Sequence, residues 1–184
     1  MAPATYKLPV FVGRFQPLHR GHLEVMKELS GISGKDRFMI IIGSMQESST
    51  KDNPFTFSER REMIEKALKA EGIKNFKIFG VRDFNDDLLW TKNVMELLGS
   101  GYIEAYTRNN WTRSCFRKIG VAVKWNQTYY GISSTKIRSR IRKGLEWKSL
   151  VPLEVSRYLQ KIGGDERIRI TGNLELKKRP LKKI

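Results

Sequence analysis

The chain has two histidines, and both fall in the stretch GRFQPLHRGH, as His19 and His22. The run before it, KLPVFVG, has the apolar density of a buried strand. The run after it, HLEVMKELS, carries Leu23, Met26 and Leu29 at helical spacing. Two imidazoles one turn apart at a predicted helix start sit where free backbone amides and the helix dipole favour an anion. Gly13 permits a sharp bend after the strand, Arg14 directs a cation towards the strand end, and Pro17 stiffens the turn. Gly21 removes side-chain bulk so that a phosphate can come close. The competing readings are two packed histidines or a metal pair, and the lone Cys115 leaves too few soft ligands for a structural zinc site.

A second candidate lies in ISSTKIRSRI. Ser133, Ser134 and Thr135 offer hydroxyls at a predicted helix start, with Arg138 one turn further in. The same helix is amphipathic, with Ile137 and Ile141 on an apolar face and Lys136, Arg140, Arg142 and Lys143 towards solvent. The two descriptions are compatible. Elsewhere, Trp90 offers a flat face for an aromatic base and a cation–π contact for a charged ring, or simply belongs to the core. Asp83 can accept hydrogen bonds from an amide or a ribose hydroxyl, and Asn109 suits ribose or base contacts.

The elements that must position these groups alternate. KLPVFVG, RFMIIIGS, FKIFGV, GYIEAYT and VAVKW read as strands. Between them lie helix-like segments, the clearest being TFSERREMIEKALKAEG, with Met63, Ala67 and Leu68 on one face, Ser58 as its cap and Gly72 past its end. WTRSCFRKIG, SSTKIRSRIRKG and PLEVSRYLQKIGG complete the pattern. Such alternation predicts an α/β fold, a parallel sheet covered by helices on both faces. Ligands of open parallel sheets bind beyond the carboxyl ends of the strands. Gly13-Arg14, Gly43-Ser44, Arg82-Asp83 and Thr107-Arg108-Asn109 all follow strands and should converge on one crevice. The domain is expected to span residues 1–170, its ordered part ending near Gly164 to Ile170, with a basic tail at 171–184. The tail's Lys177, Lys178, Arg179, Lys182 and Lys183 form a run of the kind that is usually solvated.

Neither a GxGxxG nor a GxxxxGK[ST] pattern is present, so the phosphate chemistry has to come from other groups. GRFQPLHRGH resembles the H-x-G-H motif of the Rossmann-like nucleotidyltransferases, in particular the archaeal-type nicotinamide mononucleotide adenylyltransferases. The segments IIGSMQ, NPFTFSERREMI, RDFNDDLLW, YTRNN, SSTKIRSRI and GLEWKSLVP follow in the family's order, over roughly residues 8 to 165. The resemblance implies transfer of AMP from ATP to nicotinamide mononucleotide, giving NAD and pyrophosphate. It implies catalysis by Arg14, His19, His22 and Arg138. ATP would be held by Gly13, Arg14, Phe15, His19, Gly21, His22, Ser133, Ser134, Thr135 and Arg138, and the acceptor by Ser44, Asp83, Trp90 and Asn109. It further implies Mg²⁺ arriving with ATP rather than in a protein cage, a homo-oligomer, and a cytoplasmic enzyme of NAD biosynthesis.

The chain departs from the family pattern on the acceptor side. Asp87 stands where Asn is usual, Arg108 where Gly is usual, and Lys136 where Glu is common. NQTYYG replaces a basic stretch, and Asp52 occupies a position that often carries a cation, although Lys51 is adjacent. Flavin mononucleotide or phosphopantetheine is the alternative acceptor.

Composition bounds the other classes. The net charge of +16 favours polyanionic partners, either nucleic acid or phosphorylated small molecules. A non-catalytic nucleic-acid-binding protein on the same scaffold is therefore the rival of a different class. The longest apolar run, FMIII, is too short to span a membrane, MAPATYKLPV lacks a signal core, and one cysteine fits a reducing compartment.

Overall fold

The computed structural model describes residues 7–84, 86–99, 101–124 and 129–178, with side chains described as far as 172. Its central sheet holds strands β1 (Lys7–Gly13), β2 (Phe38–Ile42), β3 (Phe76–Gly80), β4 (Tyr102–Tyr106) and β5 (Ala122–Lys124). All pairings are parallel, in the order β3-β2-β1-β4-β5. The chain winds outward from β1 to β2 and β3, then returns to place β4 on the other side of β1. That reversal opens a crevice at the carboxyl ends of the central strands.

Side-chain alternation divides the core in two. Phe11, Phe38, Ile40 and Ile42 face a cluster with helices α1 (Arg20–Ser33), α2 (Phe57–Ala70), α5 (Ser134–Arg142), α6 (Leu153–Lys161) and α7 (Gly164–Lys178). Val10, Val12 and Ile41 face α3 (Asp87–Leu98) and α4 (Asn110–Lys118) on the opposite side. The period of two along β1 and β2 supplies both faces at once. This is the expected Rossmann-like α/β arrangement, with a short 3₁₀ turn at Lys148–Leu150 before α6.

Two local expectations are corrected. Thr56, not Ser58, caps α2: its hydroxyl accepts from Glu59 N while the Glu59 carboxylate accepts from Thr56 N at 2.8 Å. The ordered chain also does not stop near 164–170, because α7 runs through that point and through the division at 170/171. Ile168 in the core, and Gly164 packed where a Cβ would lie 2.9 Å from the Phe55 ring, give α7 a reason to continue. Arg179, Lys182, Lys183, Trp125 and the Asn126–Thr128 part of NQTYYG lie outside the described residues, and the Lys177 and Lys178 side chains outside the described side chains.

Candidate active site

Two cavities meet at the carboxyl end of β1. The first, about 370 Å³, is lined by Gly13, Arg14, Phe15, His19, Gly21, His22, Ser133, Ser134, Thr135 and Arg138, so all ten residues assigned to ATP line it. The second, about 460 Å³, holds Ser44, Asp83, Trp90 and Asn109, all four residues assigned to the acceptor. Val12, Gly13, Arg14 and Asn109 line both. A group bound in one cavity therefore reaches a group bound in the other across the β1 and β4 ends.

The two histidines build the start of α1 on each other. His19 is the N-cap and His22 is the third helical residue. His22 N donates to His19 Nδ1 at 3.2 Å, and His19 N donates to His22 Nδ1 at 3.3 Å. The rings stack with centroids 3.5 Å apart, and His22 lies edge-on to Phe15 at 4.9 Å. Because each Nδ1 accepts a backbone hydrogen, the neutral ring carries its proton on Nε2, a donor for a phosphate oxygen. Burial lowers the His19 pKa to about 4 and, with the charge of His19, holds His22 well below the ordinary histidine range. Near neutral pH both are uncharged N–H donors.

The neighbouring glycines also have a packing reason that the sequence did not suggest. A Cβ at Gly13 would lie 2.9 Å from the Phe15 ring, and one at Gly21 would press on the His19 imidazole at 3.2 Å. The room they leave is thus filled by site side chains. Phe15 (φ 52°) and Ser44 (φ 50°) hold left-handed backbone in the turns after β1 and β2, a conformation uncommon for residues with a Cβ.

Arg60 supports both turns, and sequence reasoning missed it. Fully buried in α2, its guanidinium donates to the carbonyls of Arg14 (3.1 Å), Gly43 (2.7 Å) and Ser44 (2.9 Å). Burial lowers its pKa to about 10, which leaves it charged at neutral pH. The only sequence signal was an Arg at a buried position of an otherwise apolar helix face. Gln16 has a similar role, its buried amide pairing with the N–H and carbonyl of Phe55 at 2.9 Å each.

At α5, Ser133 is the N-cap and accepts from Lys136 N at 3.2 Å, as the sequence indicated. The Ser134 hydroxyl instead donates to the Pro17 carbonyl at 2.9 Å, tying α5 to the histidine turn. Arg138 is buried; it donates from Nη1 to Gln16 O and from Nη2 to Asp52, both within 2.9 Å, while its buried Nε has no partner among the described residues. Burial lowers its pKa.

In the second cavity, Ser44 is locked to Asp83: its N and hydroxyl donate to the two carboxylate oxygens at 3.2 and 2.5 Å. Asn109 caps α4 by accepting from Thr112 N at 3.0 Å, which leaves its amide nitrogen for a ligand. Trp90 is both core and lining: it is buried, and its indole N–H has no partner among the described residues. Trp111, read from the sequence only as part of a helix, lines the same cavity. No group of three or more His, Cys, Asp or Glu side chains able to hold a metal occurs among the described residues.

A sequence profile described as Cytidylyltransferase-like matches residues 10–140. A nicotinamide-nucleotide adenylyltransferase from Methanococcus maripaludis strain C5 is 39% identical over 162 residues, covering 86% of this chain and 91% of that one. One from Pyrococcus furiosus is 35% identical over 181 residues, 95% of each chain. Among solved structures, a bifunctional NMN adenylyltransferase/ADP ribose pyrophosphatase from Francisella tularensis, complexed with AMP and a manganese ion, superposes with a TM-score of 0.76 at 23% identity. It matches 97% of this chain, which spans 58% of that protein's length, and at this identity the likeness concerns the fold.

Proposed function

Because the chain belongs to the cytidylyltransferase-like family, and within it to the nicotinamide-nucleotide adenylyltransferases, we propose that its two cavities hold ATP and nicotinamide mononucleotide for direct adenylyl transfer. The observation that carries this reading is the wall the cavities share at Val12, Gly13, Arg14 and Asn109. A 5′-phosphate in the second cavity can there meet the α-phosphorus of ATP in the first.

A phosphate oxygen of the mononucleotide forms the new bond to the α-phosphorus, and the bond to the β-phosphate oxygen breaks with its electron pair leaving on pyrophosphate. The substrate provides its own nucleophile, so the chain supplies position and charge stabilisation. Arg14 stands between the substrates. His19 and His22 offer preorganised Nε2–H donors, and Arg138 offers an unpaired Nε–H beside the Ser133 and Thr135 hydroxyls. On the acceptor side the Asp83–Ser44 pair suits ribose hydroxyls or an amide, and the unpartnered Trp90 N–H suits a carboxamide oxygen.

A divalent cation belongs to this reading, and Mg²⁺ is the ion we assign. The described residues form no cage for it, so the ion would come with the triphosphate and would supply neutralisation of its charge. The same reading makes the enzyme cytoplasmic, supported by its single, buried Cys115, and a homo-oligomer. No described helix is long and apolar enough to cross a membrane.

The test is pyrophosphate release from ATP with nicotinamide mononucleotide, flavin mononucleotide and phosphopantetheine in parallel. Turnover with the first alone is the expected result. Turnover only with another acceptor overturns the assignment of the second cavity. No turnover with any, alongside tight RNA or DNA binding, overturns the enzymatic reading.

A further inference from the structure

The second cavity has an aromatic wall that the motifs did not reveal. Trp111 follows the N-cap Asn109 by two residues in α4 and keeps 38% of its surface exposed. It meets the buried Trp90 edge-to-face, centroids 5.1 Å apart at 65°, and Trp90 in turn meets Phe116 at 78°. Trp90 is thus packed by other rings, while Trp111 retains an accessible face. Its indole N–H donates to Asp87 Oδ1 at 2.7 Å, and the other oxygen of Asp87 receives Lys118 Nζ at 2.6 Å. One carboxylate at the start of α3 therefore clamps both ends of α4.

We propose that Trp111 holds the cationic pyridinium ring of the acceptor against its indole face, with Asp87 as the residue that positions it. The inference rests on the acceptor assignment made above. Three features support it. Trp111 lines the cavity that contains Ser44 and Asp83, the polar pair suited to the rest of a nucleoside. An indole fixed by its N–H loses little conformational freedom on binding a planar ring. Donation of that N–H to a carboxylate enriches the ring in electrons, and this favours a cation over its face.

The experiment compares nicotinamide mononucleotide with its reduced form, whose dihydropyridine ring has the same shape but no charge. In Trp111→Leu, KM for the oxidised acceptor should rise about 3- to 30-fold, with KM for the reduced acceptor and for ATP within about 2-fold of the parent. Trp111→Phe, which preserves an aromatic face, should fall between. Asp87→Ala should reproduce part of the loss, and Asp87→Asn, which can still accept from the indole, should restore it. Equal losses for oxidised and reduced acceptors, or no loss in a folded Trp111→Leu, overturn the inference while leaving the proposed function standing. A parent enzyme that does not turn over nicotinamide mononucleotide overturns both.

Discussion

Arg138 places its Nη2 2.8 Å from Oδ1 of Asp52, so a guanidinium only 2% exposed is held by a carboxylate that is 64% exposed. Asp52 sits in the loop before α2, whose Asn53 also accepts from Arg14 at 3.4 Å and whose Lys51 carbonyl accepts from Arg142 at 2.8 Å. On the proposed reading the first cavity takes the triphosphate, and a carboxylate paired with Arg138 would then compete with the ligand. Asp52→Asn should therefore lower KM for ATP by about 2- to 5-fold, the scale of a partly exposed ion pair, with kcat little changed. Steady-state kinetics in ATP decide it. A rise in KM would make Asp52 a support for Arg138 instead of a competitor.

On the proposed reading, His22→Ala removes an Nε2–H donor that would meet charge shifting as the α–β bond breaks. A contact stronger in the transition state than in the ground state lowers kcat when lost. We expect a fall of about 10²–10³-fold. The reciprocal capping of His19 and His22 adds a consequence absent from sequence reasoning, a loss of about 1 kcal/mol from the start of α1. Kinetics and thermal unfolding of the same preparation separate the two effects; a variant with the parent's kcat would return the pair to a capping role alone.

The depressed histidines set a direction for acid sensitivity. In the native state His19 stays neutral down to about pH 4, whereas the unfolded chain takes up the proton near 6.5. The unfolded state then binds more protons, and stability falls as pH drops through that window, by up to about 1.4 kcal/mol per pH unit for each such ring. Above 6.5 these groups contribute no slope. Urea unfolding at pH 7.5, 6 and 5 should show a shallower loss in a His19→Asn/His22→Asn variant than in the parent; parallel slopes would refute the assignment. With neutral rings as the donors, raising pH from 7 to 8 should not reduce kcat on their account.

Arg60→Met leaves the carbonyls of Arg14, Gly43 and Ser44 without their buried donor. The expected cost is about 3 kcal/mol or more, and in protein that still folds both substrates should show raised KM, because both turns lose their support. Chemical denaturation and kinetics check this. A variant as stable as the parent, with unchanged KM values, would show that the turns hold their left-handed residues unaided.

Ending the chain after Gly172 keeps the described α7 contacts, including Arg142 across Gly172 and the buried Thr171. Adenylyl transfer should persist while affinity for RNA weakens, since the tail's five cations are removed. A large loss of turnover in the folded truncated protein would place the tail at the site.

The residues legible from sequence are those whose role follows from local geometry. The near-continuous apolar runs in KLPVFVG and FMIII mark strands with two buried faces, and two histidines one turn apart at a helix start lie together whatever the rest of the chain does. Ser133 caps a helix for the same local reason. The tertiary structure decided what depends on elements meeting across the sheet. Strand order brings α2 beneath the β1 and β2 turns, which makes Arg60 a support. It also brings the loop before α2 against α5, which gives Arg138 the partner Asp52, 86 positions away. Packing of α3 on α4 turns Asp87 and Trp111 into a unit. Such pairings are set by which surfaces bury each other, and spacing along a chain carries no record of them.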